Sequence, residues 1–242
     1  LNYPIHNFEQ IPSTNTAIWE LIEKGEKPPF VVIAKEQTAG KGQWGRIWQS
    51  NPNGLYLSLA LSPNIPVENG IHLTFCSAYG ITFELRKYGI PVELKWLNDL
   101  ILNKRKLGGI KIETKVKNNL IKTAVIGVGI NWQNEVFKPG INLQSFLKDN
   151  NLNSIKTLEE LTNITLSGLF FAYETYLKNG IKPILSGYLD YLNSIGKTIE
   201  INGNIGIITG VTSKGELKVR LSSQNATTEI ELPHGTISIG YD

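Results

Sequence analysis

A glycine-rich, cationic stretch set between two strand-like runs constrains this chain more than any other feature. Glu36-Gln37-Thr38-Ala39-Gly40-Lys41-Gly42-Gln43-Trp44-Gly45-Arg46-Ile47-Trp48 follows the apolar run Phe30-Val31-Val32-Ile33-Ala34 and precedes the alternating run Leu55–Leu61. Gly40, Gly42 and Gly45 permit close backbone approach, and Lys41 and Arg46 add charge that no carboxylate between Gln37 and Val67 offsets. A loop of this kind suits an anion.

Two phosphate-binding templates fail on it. The dinucleotide pattern G-x-G-x-x-G requires a helix opening at the loop and an acid about twenty residues later. Here Asn51-Pro52-Asn53-Gly54 turns into a strand, and no acid stands at that distance. The G-x-x-x-x-G-K-[ST] pattern fails because Arg46 and Ile47 occupy the lysine and hydroxyl places. The alternative reading is a plain surface connection, since glycine-rich turns are common punctuation.

The remaining composition narrows the function classes. With 41% hydrophobic and 19% charged residues in 242, the chain can bury a real core, and a net charge of +3 is too small to indicate a nucleic-acid partner. Basic residues bunch at Lys104, Arg105, Lys106, Lys111, Lys115 and Lys117. The lone Cys76 excludes an internal disulfide and a multi-cysteine metal site; it fits a reducing compartment and reads as buried helix. His72 has no second histidine at ligand spacing and is expected at a solvated or capped surface position. No membrane span or secretory leader is visible, so a cytoplasmic protein is expected. Methionine is absent even at position 1, which leaves the true start and a removed targeting segment open.

The chain in order reads as alternating elements. Ile5–Phe8 is a candidate strand, and Ser13 and Thr14 are N-cap candidates for a helix carrying Ala17, Ile18, Leu21 and Ile22 and stopping at Gly25. With Asn15, that helix start also offers donors and acceptors to a polar ligand. A helix is expected from about Pro66 to Tyr88, then strands at Val92–Lys95, Leu100–Leu102, Gly109–Val116 and Ile121–Ile130. Asn103-Lys104-Arg105-Lys106 reads as a basic turn. Lys95, Asn98, Asp99 and Lys106 gather around one hairpin with the amide, carboxylate and cations that suit a magnesium nucleotide. Gly127 and Gly129 leave one strand face bare, and Asn131 ends that strand.

Thr157 and Glu160 have capping-box spacing for a helix running to Asn179-Gly180, and Pro183 opens another through Leu192. From Gly196 short strands follow at Thr198–Ile201, Ile205–Val211, Leu217–Leu221, Thr227–Leu232 and Thr236–Gly240, as in a small closed β-barrel. A domain boundary near Ser194 divides the chain into residues 1–194 and 195–242.

Taken in order, Ser13-Thr14-Asn15, Gln37 with the loop Gly40–Trp48, Lys95–Asp99, Arg105-Lys106-Leu107-Gly108-Gly109-Ile110, Gly127-x-Gly-Ile-Asn131 and the terminal barrel resemble the biotin protein ligases. The resemblance implies an α+β fold, with a mixed β-sheet catalytic domain backed by helices and a small SH3-like β-barrel after it. It implies an ATP-dependent enzyme that makes biotinyl-5′-adenylate with magnesium and passes biotin to a lysine of a biotin carboxyl carrier domain of a carboxylase. Carried over, Lys106 and Lys41 are the catalytic pair. Ser13, Thr14, Asn15, Gln37, Lys41, Gly42, Gln43 and Lys106 face biotin; Gly40, Gly45, Arg46, Trp48, Asn98 and Asn131 face the nucleotide. Asp99 is expected near magnesium, and the loop Gly40–Gly45 as a lid that excludes water. A homodimer through sheet edges is also implied.

The chain departs from the family's usual Gly-Arg-Gly-Arg-x-Gly, with Lys41 and Gln43 in the arginine places and Trp44 beside them. Lysine keeps the charge without the bidentate fork, and glutamine loses the charge. Leu97 replaces the proline usual before Asn98, and with no helix-turn-helix segment before Tyr3 the repressor activity of some relatives is not expected. Two rival readings are a lipoate ligase and a non-catalytic module that binds biotin or a nucleotide.

Overall fold

In the computed structural model, which describes residues 3–222, 227–237 and 240, the alternation of β3 decides how the layers form. The elements in order are β1 (Ile5–Ile11), α1 (Thr14–Glu23), β2 (Phe30–Gln37), β3 (Leu55–Leu61), β4 (Ile65–Pro66), α2 (Gly70–Lys87), β5 (Glu93–Lys95) and β6 (Asp99–Leu102). They continue as β7 (Arg105–Lys117), β8 (Leu120–Ile130), α3 (Leu143–Asp149), α4 (Leu158–Asn179), α5 (Ile181–Asp190), β9 (Thr198–Ile201), β10 (Asn204–Val211), β11 (Leu217–Ser222) and β12 (Thr227–Leu232). An eight-stranded sheet runs β1-β2-β3-β8-β7-β6-β5, with β4 against β8. β1 lies parallel to β2 while the other pairs are antiparallel, so the sheet is mixed, as expected.

Because successive side chains leave a strand on opposite faces, the two sides of this sheet acquire different chemistry. Leu55, Leu57, Leu59 and Leu61 of β3 and Ala124, Ile126, Val128 and Ile130 of β8 point into the main core beneath α2, α4 and α5. α2 and α4 cross closely because each has a glycine there: a Cβ on Gly168 would come 2.6 Å from the Gly80 carbonyl carbon. On the other face Phe30, Val32, Ala60 and Val125 pack with Ala17 and Ile18 of α1 in a second, smaller core. Beyond α1 that face carries Ser58, Gly127 and Gly129 and is left open.

The C-terminal strands form a separate four-stranded antiparallel sheet, β12-β11-β10-β9. The expected β unit is present; among the described residues no β9–β12 pairing closes it into a barrel, and the expected strand Thr236–Gly240 lies partly outside the described residues. The Thr157 capping box forms, with Thr157 Oγ1 accepting from Glu160 N–H at 3.1 Å.

Several expectations are corrected. The helix after Pro66 begins only at Gly70. Arg105 and Lys106 already belong to β7, so the basic turn is shorter than expected. His72 is buried rather than solvated: its Nδ1 lies 3.0 Å from the Tyr176 hydroxyl and its Nε2 3.2 Å from the Ser213 carbonyl. Burial holds its imidazole below the ordinary value, the Ser213 bond opposing. Cys76 is buried as expected, which pushes its thiol up to about 12. Among the described residues no helix is long and apolar enough to cross a membrane.

Candidate active site

The open sheet face forms the floor of a cleft enclosing about 480 Å³ of empty space, solvent at its mouth included. Gly109, Gly127 and Gly129 lie side by side on β7 and β8, and their missing side chains create the depression. The room is already shared out. A Cβ on Gly127 would overlap the Asn15 side chain, and one on Gly129 would overlap the Trp48 indole.

The inner end is built from neutral, buried hydrogen-bonding groups. Gln37, at the end of β2, accepts at Oε1 from the Thr14 N–H at 2.8 Å and from the Thr14 hydroxyl at 3.2 Å. Its Nε2 donates to Ser50 Oγ at 2.7 Å. Ser58 Oγ lies 2.7 Å from Thr14 Oγ1 and 2.6 Å from Asn15 Oδ1. The expected N-cap role is thus redistributed. Ser13 occupies the N-cap position but makes no side-chain capping bond, and the first helical N–H, that of Thr14, is taken by Gln37. Ser13 therefore lines the cleft without a capping duty.

The outer end is charged. Lys106 Nζ pairs with Asp99 Oδ1 at 2.8 Å and lies 5.4 Å from the Trp48 ring centroid. Its backbone is fixed by bonds to Pro139 and Ile141, so the side chain leaves a rigid strand end. Lys95 is buried beside this pair. Burial holds its amine down to about 8; the Asp99 charge opposes this, and those of Lys106, Lys197 and Arg46 add to it. Asn98 donates to the Ile110 carbonyl at 2.9 Å, which pins the turn entering β6.

The glycine loop arches between the two ends. Gly42 N–H donates to the Arg46 carbonyl at 2.7 Å and Trp48 N–H to that of Gly40 at 2.9 Å, so the stretch folds back as a tight ribbon. Lys41 Nζ reaches Thr16 Oγ1 at 3.1 Å. Trp48 lies over the floor with its Nε1 buried and without an acceptor among the described residues, an orphan donor that calls for a ligand atom.

Of the residues singled out from the sequence, Ser13, Asn15, Gln37, Lys41, Gly42, Gln43, Trp48, Asn98 and Lys106 line the cleft together. Thr14 sits behind Gln37, and Asp99 acts through Lys106. Asn131 is buried behind Lys106, its Nδ2 3.4 Å from the Lys106 carbonyl and its Oδ1 accepting from Asn134. Gly40, Gly45 and Arg46 shape the loop and its charge without lining the floor. Sequence reasoning missed Lys111 as a lining residue, although it alternates with Gly109 on β7. Its Nζ lies 3.3 Å from Glu113, which also accepts from Trp19 Nε1 at 2.8 Å. Burial pushes the Glu113 carboxyl up, but these partners outweigh it and hold the group below the usual range.

Among the described residues no group of three His, Cys, Asp or Glu could cage a metal. Asp99 offers a single carboxylate, a donor set that fits magnesium held chiefly by phosphates and water.

The model of the Biotin/lipoate A/B protein ligase family matches residues 7–131. The bifunctional ligase/repressor BirA of Escherichia coli is 32% identical over 215 residues, covering 86% of this chain and 66% of that protein. The biotin--[acetyl-CoA-carboxylase] ligase of Paracoccus denitrificans is 25% identical over 201 residues, covering 78% of this chain and 83% of its own length. This chain spans 66% of the length of the bacterial ligase/repressors it matches. In fold it is similar to the Aquifex aeolicus biotin protein ligase solved with biotin and ATP, at TM-score 0.73, 20% identity and coverage of 94% and 95% of the two chains. The matched segment holds both ends of the cleft and the glycine loop between them, and the chain belongs to the biotin/lipoate A/B protein ligase family.

Proposed function

We propose that the chain is a biotin–protein ligase, with residues 1–194 as the catalytic unit. It activates biotin with ATP and transfers it to a lysine of a carboxylase carrier domain. The observation that carries this reading is Lys106, paired with Asp99 above a glycine floor and facing the Lys41 loop. One end of such a cleft suits a neutral, hydrogen-bonding ring and the other a polyphosphate.

The ureido ring of biotin meets Ser13, Asn15 and Gln37, with Thr14 and Ser58 fixing those groups. Its carboxylate extends toward Lys41 and Lys106. A carboxylate oxygen attacks the α-phosphorus of ATP, the bond to the bridging oxygen breaks, and pyrophosphate leaves. Lys106 and Lys41 neutralise charge that grows on the phosphorus oxygens, while Lys95 and Arg46 add cationic field nearby. Magnesium, carried in with the nucleotide, supplies further neutralisation of the phosphates. Gly42 and Gln43 close against the ligand and Trp48 flanks the nucleotide base, where its indole N–H finds an acceptor. Asn98 keeps the phosphate turn in register, and Asn131 acts as a positioning residue for Lys106. In the second step a deprotonated carrier lysine attacks the acyl carbon and AMP leaves. Lys106 steadies the charge on that carbonyl oxygen.

The use of ATP and a carboxylase carrier fits a cytoplasmic enzyme. Two copies would meet through the β1 edge of the sheet, since the β5 edge is already taken by Tyr191 and Asn193, which bond to the Leu94 backbone; sedimentation measures whether a dimer forms. The decisive experiment supplies biotin and magnesium ATP, measures pyrophosphate release, then adds a carrier domain and measures its labelling. Calorimetric titration with biotin and with lipoate separates the two substrates the family name spans. Tighter binding of lipoate would overturn the substrate assignment, and absence of pyrophosphate would leave a binding module.

A further inference from the structure

The glycine loop has a second anchor outside the catalytic unit. Trp44, at its tip, adopts φ 56° and ψ 35°. A bulky side chain in the left-handed region is disfavoured and persists where surrounding contacts hold it. Although Trp44 is 66% exposed, its ring meets that of His234, with centroids 5.1 Å apart and planes at 43°. The next residue, Gly235, is at φ 90°, and a Cβ placed on it would come 2.9 Å from Trp44 Cζ2. His234 and Gly235 lie in the turn after β12. The stem of the loop is closed by its own backbone bonds, whereas its tip rests on the other sheet.

We propose that the Trp44 indole and the Pro233–Gly235 turn form a latch through which the C-terminal sheet holds the glycine loop over the cleft. Trp44 is then a positioning residue for retention of the acyl-adenylate, an inference that rests on the ligase reading above. The adenylate is a mixed anhydride, lost by departure or by attack of water on its acyl carbon or phosphorus, and both losses require the loop to lift. Lys41 and Gln43 carry a single charge between them, so electrostatic hold by the loop is modest. An aromatic contact at the tip adds hold without a charge.

The test loads the full chain with biotin and magnesium ATP, removes free ligand and follows bound adenylate in the absence of carrier. Trp44→Gly keeps the left-handed backbone available and removes the ring; His234→Ala leaves the loop sequence untouched. Each is expected to shorten adenylate retention about two- to tenfold, the range open to an aromatic pair. In His234→Ala the first-turnover pyrophosphate burst should stay near the unaltered level. Trp44→Phe should restore most of the retention, and the double variant should be little worse than Trp44→Gly. Retention as long as that of the unaltered chain in both single variants, or fully additive losses, overturns the latch. If the unaltered chain gives no burst, the ligase reading fails independently, and the latch is read from tryptic cleavage after Lys41 and Arg46 in the ligand-free chain. Faster cleavage in His234→Ala then supports it, and equal cleavage overturns it.

Discussion

The two ends of the cleft reach order by different routes. At the inner end Thr14, Gln37, Ser50 and Ser58 are joined by short neutral bonds and Ser58 holds Asn15 at its Oδ1, so much of the geometry exists before any ligand arrives. At the outer end Lys106, Lys197 and Arg46 add positive field at the buried Lys95, which Asp99 opposes, an arrangement rich in positive charge that an anion would relieve. Binding a neutral ring therefore draws on preorganisation, while binding phosphates draws on stored repulsion. Changes at the inner end should act on affinity, and changes at the outer end on turnover and its dependence on pH.

The largest effect that tests this contrast is expected at Lys106. Lys106→Ala should lower the rate of pyrophosphate release about a hundredfold or more while the thermal unfolding midpoint moves little, because the side chain neutralises charge that grows during reaction. Biotin affinity, measured calorimetrically, should change far less than turnover. Equal losses in both would erase the distinction between the ends.

Next come the glycines of the floor. Gly127→Ala drives a methyl group into Asn15 and should weaken biotin binding; Gly129→Ala drives one into Trp48 and should act on the nucleotide side. Overpacking of this kind costs about 1–3 kcal/mol, or about five- to 150-fold in affinity. Separate titrations with biotin and with a non-hydrolysable ATP analogue read the two effects, and a swap of the affected ligand would invert the assignment of the ends. Ser58→Ala should be milder, about three- to tenfold in biotin affinity, since it removes one buried hydroxyl, shared between Thr14 and Asn15, without adding bulk.

How much of this was legible beforehand follows the range of the interactions involved. The alternation of β3 and the bare face of β8 are local, and both appear where periodicity puts them. The cluster of Lys95, Asn98, Asp99 and Lys106 was legible because a short hairpin brings it together. Non-local choices escaped. Gln37 takes the first N–H of α1 from 23 residues away, and His72 is buried by a turn 141 residues on. Neither partner is marked by a nearby pattern. The seven-residue helix α3 was missed because its length is under two full turns; it depends on the Asn142 cap, whose side chain accepts from Ser145 N–H. Trp44 stood out only as a departure from a family pattern, and its contact with His234 needed the second sheet in place.

The smallest predicted effect sharpens the contrast through pH. In the folded chain the Lys95 amine releases its proton near about 8, against a reference value of 10.5, chiefly because burial disfavours the charge. Between those values the folded chain binds fewer protons than the unfolded one. The destabilisation from burying this charge is therefore full below about 8 and is relieved as pH rises toward 10.5. For nucleotide binding the sign reverses. Phosphates favour the protonated amine, so the affinity owed to Lys95 is full below about 8 and falls as pH rises through it. ATP binding just above that pH should take up part of a proton, measurable by calorimetry in two buffers of different ionisation heat. Lys95→Gln should abolish the uptake and flatten the pH profile. Biotin, whose ring sits at the neutral end and which brings a single carboxylate toward Lys106, should show a smaller uptake than ATP in the same window; an equal uptake would make the two ends electrostatically one site.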